Sequence, residues 1–192
     1  KLEALGHTVE IEIIKTQGDK IQNLSFDKLE GKGFFTKEIE EKLLDGSVDL
    51  AVHSHKDLET TPPAGLVIAA VPERYDPAEL LLIRKEKVDS SKKFSLADNA
   101  LIGTSSARRK NQLKAFRPDI DLKDLRGNVP TRINKLREGQ YDGIMLAKAG
   151  VMRLGLDLSD LHVVEMNPKE FIPAPAQGAL GLQIREGDDE LA

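Results

Sequence analysis

Two arginines in the first turn of a predicted helix are the residues of this sequence with the clearest chemical purpose. Ser105 or Ser106 is a suitable N-cap for a helix that runs to about Phe116, so Arg108 and Arg109 fall in its first turn. The positive end of a helix dipole disfavours cations there. Two arginines beside exposed backbone N–H groups are explained if an anion binds among them. The alternative is a pair of merely solvated arginines.

The same arrangement recurs further along the chain. Asn128 can cap a second helix, whose apolar residues repeat at helical spacing over 129–136. Arg126 lies just before this cap and Arg132 lies within the helix. Because the net charge of the chain is −4, the positive charge of these arginines is a local feature and the protein as a whole is not basic. Arginines separated by small residues suit a compact ligand with several carboxylates.

A lone carboxylate follows the apolar run near residue 50. This run continues into Ser54, Lys56 and Asp57, which we expect at the edge of a ligand cleft. A carboxylate at the end of a strand can orient N–H donors and stabilise a developing cation. The alternative is that Asp57 only caps a short helical turn.

Other polar side chains offer weaker signals. His53 and His55 lie on the same side of a strand, but no carboxylate cluster accompanies them, so we expect no metal site. Lys28 and Lys32 fall in an aperiodic stretch, where two cations could close over an anion or could simply be solvated. The sequence contains neither a P-loop nor a nucleophile elbow.

Composition excludes several classes of protein. The chain has 192 residues, enough for one large domain or two small ones. No apolar run approaches the roughly 20 residues of a membrane span, and no cysteine is present to form a disulfide, a thiolate nucleophile or a metal ligand. An acidic chain with 4% aromatic residues is a poor candidate for nucleic-acid binding. Without a signal-like segment, we expect a cytoplasmic location and a monomer.

Periodicity predicts an α/β protein. Alternating apolar residues predict a strand over 8–15, followed by a long loop over 16–33 and a helix over 34–45 that ends at Gly46. Further short apolar runs predict strands at 48–53, 66–71, 79–84, 100–103, 143–147, 161–166 and 179–184. Short apolar strands alternating with helices indicate sheets covered on both faces.

Two proline-rich segments, 71–77 and 171–176, predict crossings between lobes. Two crossings imply that a second lobe, residues 77–172, is inserted into a first lobe formed by 1–71 plus 177–192. A ligand then belongs in the cleft between them, where strand ends and helix starts converge.

Several long motifs, in order along nearly the whole chain, resemble the porphobilinogen deaminase (hydroxymethylbilane synthase) family. They are KLEGKGFFTKEIE (28–40), DLAVHSHKDL (49–58), ERYDP (73–77), GTSSARR (103–109), LRGNVPTR (125–132), YDGIMLAKAGVMRLGL (141–156) and PAPAQGALGLQIR (173–185). The opening A-T-R-x-S-x-L-A-L segment of the family is absent. Glu59 stands where the family commonly has proline.

This resemblance implies two type II periplasmic-binding-protein-like lobes with mixed sheets, joined by a two-stranded hinge, and a smaller third domain. It implies a transferase of tetrapyrrole (heme) biosynthesis that deaminates four porphobilinogens and joins them into hydroxymethylbilane. The expected partners are porphobilinogen and its oligopyrrole intermediates. The family also carries a dipyrromethane cofactor on a cysteine that this chain lacks, so we expect the chain alone to be inactive.

The resemblance also implies residue roles. The catalytic aspartate of the family falls on Asp57. The implied cofactor and substrate contacts are Ser54, Lys56, Thr104, Ser106, Arg108, Arg109, Arg126, Arg132 and Arg153, with Lys28 and Lys32 over the cleft and Gln177 at the second hinge.

Two other classes of function compete with the enzyme. A two-lobed binding module for a small polycarboxylate would share the fold and need the arginines. Such a module gains nothing from Asp57, which would repel its ligand, so this residue favours the enzyme. A nucleic-acid-binding protein would instead show strongly salt-dependent binding.

Overall fold

The computed structural model describes residues 2–20 and 33–191, without the side chains of residues 19 and 20; Lys28 and Lys32 lie outside it. Its helices are α1 (Gln17–Lys20), α2 (Lys37–Leu44), α3 (Ala107–Phe116), α4 (Val129–Arg137) and α5 (Lys148–Leu154). Its strands are β1 (Ala51–Ser54), β2 (Leu66–Ala70), β3 (Glu79–Arg84), β4 (Leu101–Gly103), β5 (Asp121–Lys123), β6 (Gly143–Ala147), β7 (Leu161–Met166) and β8 (Leu180–Arg185). Within the described ranges, no helix is long and apolar enough to cross a bilayer.

The two helix starts predicted beside the arginines are confirmed. The side chain of Ser106 accepts a hydrogen bond from the backbone N–H of Arg109, and that of Asn128 accepts one from Thr131. Each cap satisfies one N–H group that the helix leaves without a partner. The predicted apolar strands are also present, with ends shifted by a few residues. The sequence did not predict β5, because it holds a single apolar residue between two charged ones.

The predicted strand over 8–15 is wrong. This segment has no strand, and its apolar side chains Ile11 and Ile13 are 82% and 85% exposed. Alternation provides one apolar face, but a strand also needs a neighbour for its backbone N–H and C=O groups. Among the described residues no strand pairs with it. The predicted loop over 16–33 is interrupted by α1, and its residues 21–32 lie outside the described part.

The strands form two sheets with different coverage. The three-stranded sheet has the order β1-β8-β2, with antiparallel pairs, and α2 packs against one face through Leu43. Val52 on β1 is 56% exposed, so the prediction of two covered faces is wrong for this sheet. The five-stranded sheet has the order β5-β4-β6-β3-β7 and is mixed. Its β3 buries Leu80 and Leu81 in separate core clusters, because successive side chains point to opposite faces.

The five-stranded sheet gathers its helix starts at one edge. Strand β4 is parallel to both β5 and β6, so these three strands end on the same side of the sheet. Helices α4, α3 and α5 follow β5, β4 and β6 respectively. Antiparallel β3 begins at this same edge, where Glu79 lies opposite Ala147. The edge thus collects three helix N-termini and one buried carboxylate.

The first proline-rich segment runs beside residues 177 and 178, which directly follow the second proline-rich segment. The backbone N–H of Tyr75 donates to the carbonyl of Gly178 (3.1 Å), and Arg74 Nε donates to the carbonyl of Gln177 (2.8 Å). Gln177 Nε2 in turn donates to the carbonyl of Pro77 (2.7 Å). The strands before 71 and after 179 belong to one sheet and those from 79 to 166 to the other. The lobe boundaries themselves stay a prediction.

Gly178 should be the glycine of this crossing that tolerates substitution least. Its φ is +91°, and an added Cβ would collide with the carbonyl oxygen of Tyr75 and lie 3.1 Å from the carbonyl carbon. Gly155 is a matched control, because its φ is +58° but an added Cβ there has nothing within 4 Å. We expect Gly178→Ala to lower the free energy of unfolding by about 1–3 kcal/mol more than Gly155→Ala, measured by urea unfolding. Equal losses of unfolding free energy in the two variants would contradict the close approach of Gly178 to the backbone of Tyr75.

Candidate functional site

A cavity of about 220 Å³ lies where the end of β1, residues 177–179 and the helix starts of the five-stranded sheet meet. We call it the main cavity because it gathers most of the site residues predicted from the sequence. It combines cationic side chains with one carboxylate and with exposed backbone. Its lining residues are Ser54, Lys56, Asp57, Arg109, Gly127, Asn128, Val129, Arg132, Leu146, Ala147, Ala149, Gly150, Arg153, Gln177, Gly178 and Ala179.

Most of the sequence-predicted site residues reach this cavity. Those that line it are Ser54, Lys56, Asp57, Arg109, Arg132, Arg153 and Gln177. Thr104, Ser106, Arg108 and Arg126 are not among its lining residues. Lys28 and Lys32 lie outside the described residues, so their predicted position over the cleft stays a prediction.

Arg109 forms part of the cavity wall and is held firmly. Its Nε and Nη2 donate to the two carboxylate oxygens of Glu79 at 2.9 and 2.7 Å, and its Nη1 donates to the carbonyl of Met145 at 3.1 Å. The side chain is 8% exposed. Such a forked ion pair fixes the plane of the guanidinium as well as its position.

Arg108 faces the second crossing instead of the cavity. Its Nη1 donates to the carbonyl of Ile172 at 2.6 Å, and its Nη2 donates to Glu79 Oε1 at 2.5 Å. Gln112, one turn further along α3, both donates to and accepts from the backbone of Ile172. Arg108 therefore connects the start of α3 with the crossing.

The remaining predicted residues support the helix starts. Thr104 is 2% exposed, and its hydroxyl oxygen accepts from the N–H of Ser106 at 3.3 Å. The hydroxyl of Ser105 donates to the carbonyl of Leu125 and accepts from its N–H, which joins the segments before α3 and α4. Arg126, also buried, follows directly in that second segment.

Asp57 and Lys56 lie in a short helical turn directly after β1. Both side chains are accessible within the cavity, but the walls remove much of the water around them. Burial therefore raises the pKa of Asp57, although the charges of Lys56 and Arg132 oppose the shift. Burial likewise lowers the pKa of Lys56, with Asp57 opposing and Arg109 adding to the effect. A partly desolvated carboxylate among cations interacts strongly with any charge that develops beside it.

Arg132 links the start of α4 to this group. Its Nε donates to the carbonyl of Gly127 at 2.6 Å, so the side chain folds back over the helix start. Burial, together with the charges of Arg109 and Arg126, lowers the pKa of Arg132 to about 10. The residue is still protonated at neutral pH. The crowding of cations indicates an environment that an anionic ligand would stabilise.

Gln177 and Arg153 form the wall beside the second crossing. Gln177 is 1% exposed, and its Oε1 is buried without a hydrogen-bond partner in the described structure. A buried acceptor of this kind is costly unless a ligand or water donates to it. Arg153 Nη2 donates to the carbonyl of Gly178 at 2.6 Å, and its guanidinium lies 4.6 Å from the ring centre of Tyr75.

His53 belongs to a buried polar network. Nε2 of His53 lies 3.0 Å from Oε1 of Gln183, whose Nε2 donates to Glu40. Burial lowers the pKa of His53, although the hydrogen bond to Gln183 opposes the shift. In the described part of the chain, no three or more His, Asp or Glu side chains are grouped so that they could hold a metal ion.

Lys56 also lines a second cavity, of about 460 Å³, together with Glu59, Thr60 and Ala174. The described residues that line this second cavity include two carboxylates, Glu40 and Glu59, but only one lysine or arginine, Lys56. None of the arginines of the main cavity reaches it, so it is a weaker candidate for a polyanion.

Sequence reasoning missed Glu79. It opens an otherwise apolar strand, DPAELLLIR, and a charged residue beside a fully buried run is a signal for a buried ion pair. Its partners could not be read from the sequence, because Arg109 lies 30 residues away.

Chemically, the main cavity suits a ligand with several carboxylates and with N–H groups. Arg109, Arg132 and Lys56 provide the cations, Gln177 provides a free acceptor, and Asp57 can stabilise a cation next to it.

The two sheets and paired crossings define an α/β protein of the type II periplasmic-binding-protein-like class. A periplasmic binding protein of an ABC transporter from Brucella ovis, solved with glutathione bound, aligns with a TM-score of 0.51 and 17% identity. The alignment covers 79% of this chain and 47% of that one, and it supports the fold alone.

Within this class, the family model described as "Porphobilinogen deaminase, dipyromethane cofactor binding domain" matches residues 1–192. The chain therefore belongs to the porphobilinogen deaminase family. It is 51% identical over 188 residues to the porphobilinogen deaminase of Syntrophomonas wolfei and 49% identical over 184 residues to that of Nitratidesulfovibrio vulgaris strain DP4. Each alignment covers 95% of this chain but only 58% and 56% of those proteins.

The raised pKa of Asp57 predicts an unusual stability profile. Because the pKa of Asp57 is higher in the folded protein than the ordinary value of 3.8, the contribution of this group to stability is fully present below pH 3.8. The contribution is lost as the pH rises through the folded pKa. We expect Asp57→Asn to be at least as stable as the wild type at pH 7, with an advantage that grows between pH 4 and pH 7 in urea unfolding.

Asp119→Asn is the control with the opposite sign. The hydrogen bond from Arg117 lowers the pKa of Asp119, so its contribution is present above the ordinary pKa and is lost as the pH falls. The Asp119 variant should be less stable than the wild type at pH 7, and the gap should narrow in acid. If Asp57→Asn were also less stable than the wild type at pH 7, with a gap that narrows in acid, this would contradict the claim that loss of water raises the pKa of Asp57.

Proposed function

We propose that this chain provides the catalytic cleft of a porphobilinogen deaminase, which condenses four porphobilinogens head to tail into hydroxymethylbilane and releases ammonia. The observation that carries the proposal is the position of Asp57 in one cavity with Lys56, Arg109 and Arg132. Membership of the family supports the reaction type. The whole enzyme is longer than this chain in the relatives compared above.

The cationic wall suits the substrate. Porphobilinogen carries two carboxylates, so each added unit increases the negative charge of the product. Arg109 and Arg132 can form charge-assisted hydrogen bonds with these carboxylates, and Lys56 adds a positive charge from the turn after β1. Buried Gln177 Oε1 can accept a pyrrole N–H, which would satisfy an otherwise unpaired atom.

Asp57 is the residue that separates an enzyme from a binding protein. Cleavage of the aminomethyl C–N bond releases ammonia and leaves a methylene cation conjugated with the pyrrole nitrogen. A fixed carboxylate beside that nitrogen stabilises the cation more than the neutral substrate, and therefore lowers the barrier. A pyrrole carbon of the neighbouring ring then bonds to the methylene carbon and loses its proton.

The same residues fit the cofactor that the family model names. Dipyrromethane also carries carboxylates and pyrrole N–H groups, so Arg109, Arg132 and Gln177 would hold it by the contacts described for the substrate. When bound, it supplies the pyrrole to which the first substrate is joined. This chain has no cysteine to attach it.

A polycarboxylate-binding module of the same fold is the alternative function. It would use the same arginines, but a partly desolvated aspartate would weaken its ligand binding. Our proposal also includes two lobes, one formed by residues 1–71 plus 177–192 and the other by residues 77–172. It includes a monomeric protein in the cytoplasm that binds neither nucleic acid nor a membrane. We further propose that the chain on its own is inactive.

Turnover of an Asp57→Asn variant tests the catalytic role. The chain would replace the matching segment of the full-length Syntrophomonas wolfei relative. We expect turnover to fall by roughly 10²–10³, as for the loss of one key electrostatic group, because asparagine cannot balance the cation. Affinity for porphobilinogen should hold or increase, since a repelling charge is removed. Single-turnover kinetics and calorimetric titration measure the two effects.

Asp45→Asn is the matched control. Asp45 accepts a hydrogen bond from the backbone of Ser47 at the end of α2, and asparagine can make the same contact, so turnover should be unchanged. The alternative role of Asp57 as the N-cap of the turn is wrong, because Asp57 is the last residue of the turn and Ser54 is at the N-cap. Normal turnover in the Asp57 variant would leave Asp57 without a catalytic role. An unmodified hybrid that binds porphobilinogen but releases no ammonia would favour the binding module.

A further inference from the structure

Glu79 is a carboxylate in a place where an anion-binding cleft gains nothing from its charge. It is the first residue of β3 and is 0% exposed. It lies at the same sheet edge as the starts of α3, α4 and α5, opposite Ala147 of β6. A negative charge behind the arginines weakens their attraction for an anionic ligand, so its presence needs another explanation.

The geometry of the ion pair provides one. Both oxygens of Glu79 are engaged by Arg109, through Nε at 2.9 Å and Nη2 at 2.7 Å. With the bond from Nη1 to the carbonyl of Met145, these contacts use three of the five N–H groups of a guanidinium. One N–H on Nη1 and one on Nη2 are left over, and Arg109 lines the main cavity.

The same carboxylate also reaches the crossing. Glu79 Oε1 accepts from Arg108 Nη2 as well, while Arg108 Nη1 donates to the carbonyl of Ile172. Burial alone would raise the pKa of Glu79, but the charge and hydrogen bonds of Arg109, helped by Arg108, outweigh it and lower the pKa. Glu79 is thus ionised at neutral pH and can hold both arginines.

We propose that Glu79 is a positioning residue of the main cavity, which orients the Arg109 guanidinium so that its two remaining N–H groups meet a ligand carboxylate. The identity of the ligand rests on the proposed function. The orienting role itself depends only on the contacts among Glu79, Arg109 and Met145.

Calorimetric titration of the chain with porphobilinogen tests this role, because it shows whether substitution of Glu79 lowers or raises the affinity. We expect Glu79→Gln to reduce the affinity by about tenfold or more, the loss typical of one charge-assisted hydrogen bond. Glu79→Asp keeps the charge but is shorter, and should recover part of the affinity. Asp119→Asn removes one carboxylate partner of buried Arg117. Neither Asp119 nor Arg117 lines the main cavity, so this variant should leave the affinity unchanged.

Three other outcomes would overturn the proposal. If Glu79 acted only through its charge, Glu79→Gln would bind the anionic ligand more tightly. If it only stabilised the fold, the variant would unfold at a lower urea concentration while its affinity stayed the same. Should Glu79→Gln not fold, an affinity of Glu79→Asp equal to that of the wild type would also overturn it.

A second readout separates this proposal from the proposed function. The Nε–H of Arg109 should give a slowly exchanging NMR signal in the ligand-free chain, assigned by its loss in Arg109→Lys. This signal should exchange faster in Glu79→Gln and in Glu79→Asp. A chain that binds no porphobilinogen but behaves in this way would contradict the function and support the positioning. Unchanged exchange in the variants would contradict the positioning.

Discussion

Positive charge concentrated at one edge of the five-stranded sheet is the constraint on which the rest of this structure depends. Arg108, Arg109, Arg126 and Arg132 all follow the carboxyl ends of parallel strands, so the topology alone brings them together. Each of them lies near the positive end of a helix, where cations are disfavoured. The protein balances this charge partly with Glu79, which pairs with Arg108 and Arg109, and partly with Asp57, which interacts with Arg132.

The two carboxylates balance the charge in different ways. Glu79 is fully buried and shares its oxygens between two guanidinium groups, so its pKa is lowered. Asp57 interacts with Lys56 and Arg132, but the removal of water dominates and its pKa is raised. Glu79 thus holds the arginines of the cavity wall in place, whereas Asp57 remains available to stabilise charge on a ligand. A polycarboxylate ligand would supply the remaining negative charge.

Local signals in the sequence predicted the local structure well. The caps at Ser106 and Asn128 follow from side chains that bond to nearby backbone, and such contacts can be read from a few residues. The strand predicted over 8–15 failed because pairing depends on a neighbour, which alternation does not supply. The contact of Gly178 with Tyr75, and that of Arg109 with Glu79, join residues far apart in sequence. Spacing along the chain carries no information about such contacts.

The central claim is that the main cavity, and not the second one, receives porphobilinogen. An NMR titration of the ¹⁵N-labelled chain with porphobilinogen tests it directly. The account predicts saturable shifts of the amide signals of Gly127, Asn128 and Gly178, which line the main cavity. No saturable shift, or shifts confined to Glu59, Thr60 and Ala174 around the second cavity, would contradict it.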